Sequence, residues 1–284
     1  MEFWVGQTLN GLSFGALLFL LASGLSLMFG LMRIVNIAIG SYYLIGAYVA
    51  LSALKFSGQL GLALLGAVAA VALIGVGMQR FLLARFHAEP QPQVLLTMGA
   101  AFMFADIALW LWGGDPQRLP TPRMVAFSVE IGPSVFPAYR LVVIAVGVLV
   151  YLFLWLIQER TRLGAIVRAA VDDQEMARGL GINVGRILTA MFAVGAGLAA
   201  LAGVVGGPFL GVYPGADFEV IPLAFAVVII GGLGSLHGAL AGSLLVGLVD
   251  NFGKALFPEL SYFTLFLPMA LVLAIRPTGL FGKG

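Results

Sequence analysis

Long stretches without Asp, Glu, Lys or Arg constrain this chain of 284 residues more than any other feature. These stretches cover residues 3–32, 34–54, 56–79, 141–157, 187–216, 220–249 and 260–275, and only Asp106 interrupts a further one at 94–112. A helix crosses the hydrocarbon core of a membrane with about 20 apolar residues. None of the stretches alternates apolar and polar residues as the strands of an outer-membrane barrel do. The sequence therefore predicts an all-α polytopic integral membrane protein.

Two of the stretches do not correspond to a single helix each. In 187–216, one crossing at about 187–206 is followed by Gly-Gly-Pro at 206–208 and Tyr-Pro-Gly at 213–215, which predict turns. The stretch 220–249 is too long for one crossing and short for two, and glycines interrupt its middle. We interpret it as two short helices joined by a tight turn, a candidate re-entrant hairpin. The expected total is eight to nine transmembrane or re-entrant helices.

Composition excludes several classes of protein. Hydrophobic residues make up 61% of the chain and charged residues 10%, against about 25% charged in ordinary soluble domains, which excludes a soluble enzyme. The chain has no Cys and two His, so disulfides, thiolate metal sites and histidine-built metal clusters are not expected. A net charge of +2 does not indicate nucleic-acid binding. No metal or cofactor is predicted to bind this chain.

Basic residues between the apolar stretches predict the orientation. Short cytoplasmic loops are rich in Lys and Arg, and the segment 158–187 carries five arginines. With that segment in the cytoplasm, ten basic residues fall inside and five outside. The prediction is one transmembrane domain, 1–284, with its N-terminus outside, its C-terminus in the cytoplasm, and an external loop at 113–140.

The cytoplasmic loop 158–187 contains a short predicted helix from about Asp173 to Leu180. Acidic residues open it, where the helix dipole stabilises negative charge, and glycines end it. Met176, Ala177 and Leu180 are expected to share its apolar face. Such a helix either lies on the membrane lipid or inserts into a partner protein. The residues of interest in it are Asp172, Asp173, Glu175, Met176, Ala177, Arg178, Leu180, Gly181 and Asn183.

Four blocks of sequence resemble the LivH-type permease subunits of bacterial ABC importers for branched-chain amino acids. One is Arg-Ala-Ala-x-Asp-Asp-x-x-x-Ala-x-x-Leu-Gly-Ile-Asn at 168–183, which is similar to the coupling-helix loop of that family. The other three are an N-terminal block in two stretches, 9–15 and 22–40, the glycine-rich block 231–242, and the terminal Arg-Pro-Thr-Gly-Leu-Phe-Gly at 276–282. The blocks occur in order over nearly the whole chain, so the resemblance is specific at the level of the family.

The resemblance implies a set of partners in a bacterial inner membrane. Two permease subunits, this one with a LivM-type partner, would form the pathway as a heterodimer. Two cytoplasmic ATPase subunits would grip the coupling helices and bind ATP and Mg²⁺, and a periplasmic binding protein would deliver the substrate. This chain has no ATP site of its own: the P-loop-like stretch 247–254 has one residue too many, and Ala255 replaces the required Ser or Thr.

Polar residues in or beside the apolar stretches are the candidates for the pathway: Asn10, Arg33, Asn36, Ser41 and Asp106. Arg33 is either an interfacial anchor or a pathway residue. Asp106 is the one acid well inside a stretch, and such acids are costly and usually functional. Many relatives in the family carry His-Gly-Glu where this chain has Ile-Gly-Ser at 39–41, which puts a lining role there in doubt. The segment with Phe209, Tyr213 and Asp217 is expected in the outer loop, as a rim for the binding protein.

The glycine-rich turn offers a different set of residues: Gly234, Ser235, His237, Gly238 and Gly242. Glycines at 234, 238 and 242 form a ridge of small residues that lets two helices approach closely. Helix packing and a pivot in the pathway are both compatible with that ridge. His237 is expected to be a turn residue rather than a proton relay.

The predicted function is that of a permease subunit for branched-chain or other apolar amino acids. Importers of the same superfamily for urea, short amides or sugars are an alternative. An ion-coupled secondary transporter is a further one, although it needs intramembrane acids and only Asp106 qualifies. An intramembrane enzyme needs a nucleophile–base pair or a metal cluster, and no motif of that kind is found.

Overall fold

The computed structural model describes residues 2–32, 36–86, 89–122, 125–131, 134–260 and 263–282. Its helices are α1 (Glu2–Met32), α2 (Ile39–Ser57), α3 (Leu60–Gly77), α4 (Pro90–Trp112), α5 (Ala138–Arg160), α6 (Arg162–Asp172), α7 (Gln174–Gly179), α8 (Val184–Leu210), α9 (Ala216–Gly231), α10 (Leu236–Leu256) and α11 (Phe263–Ile275). Helix α3 is extended by a π turn, Met78–Leu82, and then by a 3₁₀ turn, Leu83–Phe86. A second 3₁₀ turn, Pro258–Leu260, follows α10. The prediction of an all-α polytopic membrane protein is confirmed.

Seven of these helices are long and apolar enough to cross a membrane: α1, α2, α3 with its extension, α4, α5, α8 and α10. Helices α9 and α11 have 16 and 13 residues, or about 24 and 20 Å at 1.5 Å per residue, less than the hydrocarbon core of about 30 Å. The loop between α4 and α5 holds a two-stranded antiparallel hairpin, β1 (Ser128–Ile131) and β2 (Ser134–Pro137), in which Ser128 pairs with Pro137.

Helix α1 is the central helix of the domain. In its most apolar stretch 89% of the residues are buried, against 17% in α5, whose outer face is available to lipid. The backbones of α1 and α8 lie close together: a Cβ added to Gly24 would lie 2.5 Å from the carbonyl oxygen of Gly195. Small residues at crossings of this kind are typical of helix packing in membranes, where dispersion contacts replace the hydrophobic effect.

Two predicted helix boundaries are corrected by the structure. The turn predicted at 206–208 is wrong, because α8 continues through Pro208 to Leu210 and ends at Gly211, whose φ is +82°. A proline removes one helical hydrogen bond, and here it does so only in the last turn. The second helix begins at Ile39 rather than near residue 34. The pair of helices predicted in 220–249 is present as α9 and α10, with α9 beginning earlier, at Ala216. Only α9 is short: α10 has 21 residues and is long enough to cross a membrane, so the prediction of two short helices is wrong for α10.

The C-terminal segment packs against the turn between α9 and α10. The N–H groups of Leu280 and Phe281 donate hydrogen bonds of 2.9 Å to the carbonyl oxygens of Ile230 and Gly231. These carbonyls lie in the last turn of α9, where helical partners are missing. The segment therefore completes the hydrogen bonding of α9 at its C-terminal end.

Truncation after Pro277 is expected to destabilise the chain by about 2 kcal/mol, because it removes two hydrogen bonds that contribute about 1 kcal/mol each. The measurement is the midpoint of thermal unfolding in detergent. A chain that ends after Gly282 keeps both bonds and is the matched control. Equal midpoints for the two truncations would show that the segment contributes nothing to the stability of α9.

Candidate functional site

Side-chain caps define the helices of the 158–187 loop. Thr161 accepts a hydrogen bond from the N–H of Gly164 at the start of α6, and Asp173 accepts one from the N–H of Met176 at the start of α7. Asn183 accepts one from the N–H of Arg186 at the start of α8. Such caps satisfy orphan donors in the first turn of a helix. These caps let two short helices, α6 and α7, form within one loop, and Gly181 at φ +80° follows the end of α7.

The helix predicted at 173–180 is present as α7, but its apolar face differs from the prediction. Ala177 is only 2% exposed and packs with Ala170, Val184 and Leu188 in a small core beneath the helix. Met176 and Leu180 are 63% and 73% exposed. Positions 176 and 180 share a face at i, i+4, whereas 177 lies about 100° around the helix. Ala177 is therefore a packing residue, and the shared face predicted for all three is wrong.

Charged side chains surround the two exposed apolar side chains. Asp172, Asp173, Glu175 and Arg178 are all exposed, as are Gly181 and Asn183. We name the projection formed by Met176 and Leu180 with their charged neighbours the α7 knob. Two large apolar side chains held out on a capped helix form a surface that a protein pocket can bury, with the charges as its polar rim.

Loss of the Asp173 cap is expected to loosen α7. Asp173→Ala removes the acceptor for the N–H of Met176, and loss of such a cap costs about 1 kcal/mol. Amide hydrogen exchange in 176–179 should then be about five times faster, since 1.4 kcal/mol corresponds to a factor of ten. Asp172→Ala is the matched control, because Asp172 is the last residue of α6 and caps neither helix. Equal exchange rates in the two variants would contradict the capping role.

The first turns of α2 and α9 meet beside the middle of α4. The N–H of Ile37 donates to Thr97 Oγ1 at 3.3 Å, and Ser41 Oγ lies 3.4 Å from the carbonyl oxygen of Ala101. Ser41 Oγ is also 3.5 Å from Asp217 Oδ2, at the start of α9. Two helices of the bundle therefore begin alongside the interior of a third.

The structure brings together only some of the predicted pathway residues. Asn36 and Ser41 are buried at this meeting point, where Asn36 Oδ1 accepts from the N–H of Ala38 at 3.0 Å. Asn10 lies in the first third of α1, beside the glycine that packs against α10. Arg33 lies outside the described residues. A shared site for the whole predicted set is therefore not formed.

Of the two acids Asp106 and Asp217, Asp217 is the one that lies inside the bundle. Asp106 lies on the exposed face of α4, opposite the face on which Thr97, Ala101 and Ala108 are buried. Asp217 has no solvent exposure, and its Oδ1 has no hydrogen-bond partner among the described residues. The prediction that it forms an outer rim is wrong, because the chain turns inward at Pro214 and Gly215 and starts α9. The acidic pair in Ala-Asp-Phe-Glu after Pro-Gly was the available signal for a helix start.

A cavity of about 370 Å³ opens beside the first turn of α9. Its apolar wall includes Phe14, Phe209 and Leu223, and its polar groups are Tyr213, Glu219, Asp250, Asn251 and Lys254. Tyr213 Oη donates to Glu219 Oε2 at 2.5 Å, and Lys254 Nζ lies 2.7 Å from Asp250 Oδ2. The hydrogen bond to Glu219, followed by burial and the charge of that carboxylate, raises the pKa of the Tyr213 hydroxyl to about 12.

The glycine ridge packs α10 against α9 and α1. A Cβ on Gly238 would overlap the carbonyl oxygen of Gly231, and one on Gly242 would overlap that of Val227. Gly234 lies against Gly30 at the end of α1. Ser235 Oγ caps α10 by accepting from the N–H of Gly238 at 3.0 Å, and the His237 ring lies 6.1 Å from that of Tyr151. These contacts place every predicted turn residue in helix packing or capping.

Among the residues that the structure describes, no group of three or more His, Cys, Asp or Glu side chains could hold a metal ion. The P-loop-like stretch 247–254 lies inside helix α10 and has no loop that could cradle phosphates. The described part of the chain therefore offers two candidate functional surfaces, the α7 knob and the cavity beside α9.

Comparisons with known proteins agree with these features. Residues 7–275 match the family model described as branched-chain amino acid transport system / permease component. The chain is 31% identical to the high-affinity branched-chain amino acid transport system permease protein BraD of Pseudomonas aeruginosa, over 99% of this chain and 96% of that protein. It is 28% identical to LivH of Escherichia coli K12, with the same coverage of both chains.

A solved structure has the same fold. The chain is similar to PsaBC from Streptococcus pneumoniae, solved in complex with Fab, with a TM-score of 0.50 and 13% identity. The match covers 94% of this chain and 89% of that one. The family match spans almost all of the sequence, including the stretches that form α2, α7 and the turn between α9 and α10. This chain therefore belongs to the family of branched-chain amino acid transport permeases.

Proposed function

We propose that this chain is one of two permease subunits of an ABC importer that carries branched-chain or other apolar amino acids across a bacterial inner membrane. The observation that carries the proposal is the α7 knob, together with membership of the permease family. A permease without an ATP site needs a surface through which separate ATPases act on it. Two exposed apolar side chains on a capped helix, joined by a short connection to the membrane-spanning helix α8, provide such a surface.

Each partner in the proposed importer has a defined place. Two cytoplasmic ATPases bind ATP and Mg²⁺ and receive the α7 knob of each permease, a LivM-type permease completes the pathway, and a periplasmic protein delivers the cargo. In this arrangement the N-terminus lies outside and the C-terminus in the cytoplasm, as the distribution of basic residues favours. The apolar wall of the cavity suits an apolar cargo.

Affinity purification of the tagged chain from its native membrane in mild detergent tests the assembly. Two ATPases and a second permease, identified by mass, are the expected companions. The recovered complex is then reconstituted in liposomes with its binding protein, and uptake of labelled leucine is measured with ATP and with a non-hydrolysable analogue. We expect uptake only with ATP, with xylose and urea as poor competitors.

Two other results would contradict the proposal, one for the class of transporter and one for its cargo. Recovery of the chain alone, with leucine uptake that needs an ion gradient and no ATP, would establish an ion-coupled carrier. ATP-dependent uptake of xylose but not leucine would leave the importer in place and change its cargo.

A further inference from the structure

Three charged side chains reach the cavity beside α9 from two different helices. Glu219 comes from the first turn of α9, and Asp250 and Lys254 come from successive turns of α10. The side chains of Glu219 and Lys254 are exposed at the opening of the cavity, so a ligand that enters from solvent can reach both. Asp250 is 5% exposed overall, so its charge is held inside the domain by its neighbours.

Two of the three charged groups, Lys254 and Glu219, have capacity for a further partner, whereas Asp250 already contacts Lys254 and Thr264. Lys254 has three N–H donors, of which Asp250 takes one at 2.7 Å. The carboxylate of Glu219 has about four lone-pair sites, of which the Tyr213 hydroxyl takes one at 2.5 Å. The same cavity therefore presents free donors on a cation and free acceptors on an anion, the complement of a zwitterion.

The apolar side of the cavity is built from aromatic rings. The rings of Phe14 and Phe209 lie 6.5 Å apart, and Lys254 Nζ lies 5.9 Å from the centroid of the Phe14 ring. Leu223 lies on the α9 side of the same space. The volume of about 370 Å³ falls in the usual range for small-molecule sites, about 300–1,000 Å³, which combine an apolar lining with a few polar groups.

We propose that this cavity is a binding site for an apolar α-amino acid, in which Lys254 contacts the carboxylate, Glu219 contacts the ammonium group, and Phe14, Phe209 and Leu223 contact the side chain. The inference rests on the proposed function and adds to it the residues that recognise the cargo. Because Glu219 keeps its contact with Tyr213 and Lys254 keeps its contact with Asp250, the cargo can arrive and leave without breaking either contact. A weak site of this kind lets a substrate both enter and leave.

Cysteine protection tests the site, because the chain has no Cys of its own. Leu223→Cys places a thiol on the cavity wall, and Phe218→Cys places one on the same helix against Phe102 of α4, outside the cavity. Alkylation of each variant by a maleimide is followed by mass in the reconstituted importer, with and without leucine. Leucine at about ten times its Kd should slow alkylation at position 223 about tenfold and leave position 218 unchanged.

Charge variants separate recognition of the two ends of the ligand. In the Leu223→Cys background, leucine should protect better than leucinamide, which lacks the carboxylate, and better than 4-methylpentanoate, which lacks the ammonium group. In the Lys254→Gln variant, leucine and leucinamide should protect equally, while leucine still protects better than 4-methylpentanoate. In the Glu219→Gln variant, leucine and 4-methylpentanoate should protect equally, while leucine still protects better than leucinamide. Lys254→Arg should retain both advantages, because it keeps the positive charge.

The outcomes distinguish this site from the proposed function. An importer that takes up leucine with ATP, yet shows no protection at position 223, would overturn the site and leave the function intact. Protection that neither charge variant changes would also overturn the proposed contacts. Absence of leucine uptake by the complete complex would overturn the function and the site together.

Discussion

Leu180→Asp is expected to stop transport while the chain remains folded and in the membrane. Leu180 is 73% exposed on the α7 knob, so the substitution disturbs no internal packing. In the assembled importer the same side chain would be buried in an ATPase pocket, and an unpaired carboxylate there is strongly unfavourable. Loss of an apolar anchor of this kind costs about 2 kcal/mol or more, so ATP-dependent uptake should fall at least about 30-fold.

Two further variants make the result specific to the knob. Leu180→Met keeps an apolar side chain of similar volume and should transport almost normally. Ala177→Asp buries a charge beneath α7, so it should lower the thermal unfolding midpoint as well as uptake. The readouts are ATP-driven leucine uptake in liposomes, co-purification of the ATPases and the unfolding midpoint of each variant. Normal uptake and ATPase recovery with Leu180→Asp would contradict the proposed role of the knob.

The elements that the sequence predicts well are those for which a local rule is sufficient. The apolar stretches predict where the membrane helices lie, because lipid provides no partner for an unpaired backbone group, although seven of the described helices rather than eight or nine are long enough to cross. Helix α7 is likewise a local structure: Asp173 caps its start and Gly181, at φ +80°, ends it. The glycine turn between α9 and α10 is local for the same reason, since Gly232 and Gly234 both adopt positive φ.

The features that the sequence does not predict depend on what each side chain packs against. Asp106 and Asp217 are both acids in or near apolar stretches, and only the packing of α2, α4 and α9 decides that Asp217 is the buried one. Ala177 and Leu180 are both apolar residues of α7, and the small core beneath the helix decides which of them faces inward. Neither the composition of the chain nor its hydrophobic periodicity shows which acid is buried or which apolar residue of α7 faces inward.

The sequence also does not show that the charged residues of the cavity lie together. Glu219 and Lys254 lie 35 positions apart in the sequence, and no motif links them. They meet because the chain descends from α8 through Pro214 and Gly215 into α9, which then pairs antiparallel with α10 at its glycines. A site that depends on two helices and their crossing is a property of the tertiary structure, whereas the loop 158–187 is a continuous stretch of sequence and can be recognised without it.

The close packing of α9 against α10 depends on the absence of a side chain at position 238. A Cβ added to Gly238 would overlap the carbonyl oxygen of Gly231 and would lie 2.7 Å from its carbonyl carbon. The obstacle is backbone, which cannot move aside as the end of a flexible side chain can. Any larger residue must therefore separate α9 from α10, and with them the two halves of the cavity wall.

Gly238→Leu is therefore expected to destabilise the folded chain by about 3 kcal/mol or more, the upper end of the cost of overpacking. The thermal unfolding midpoint in detergent should fall by about 10 °C, at about 2–4 °C for each kcal/mol. Gly99→Leu in α4 is the matched control, because it is also an interior glycine of an apolar helix, is exposed, and has open space around its Cβ position. Leucine is a better helix former than glycine, so the control should unfold at the wild-type midpoint or above it. If both variants unfold at the wild-type midpoint, α9 and α10 do not pack through Gly238, and the geometry of the cavity between them must also be revised.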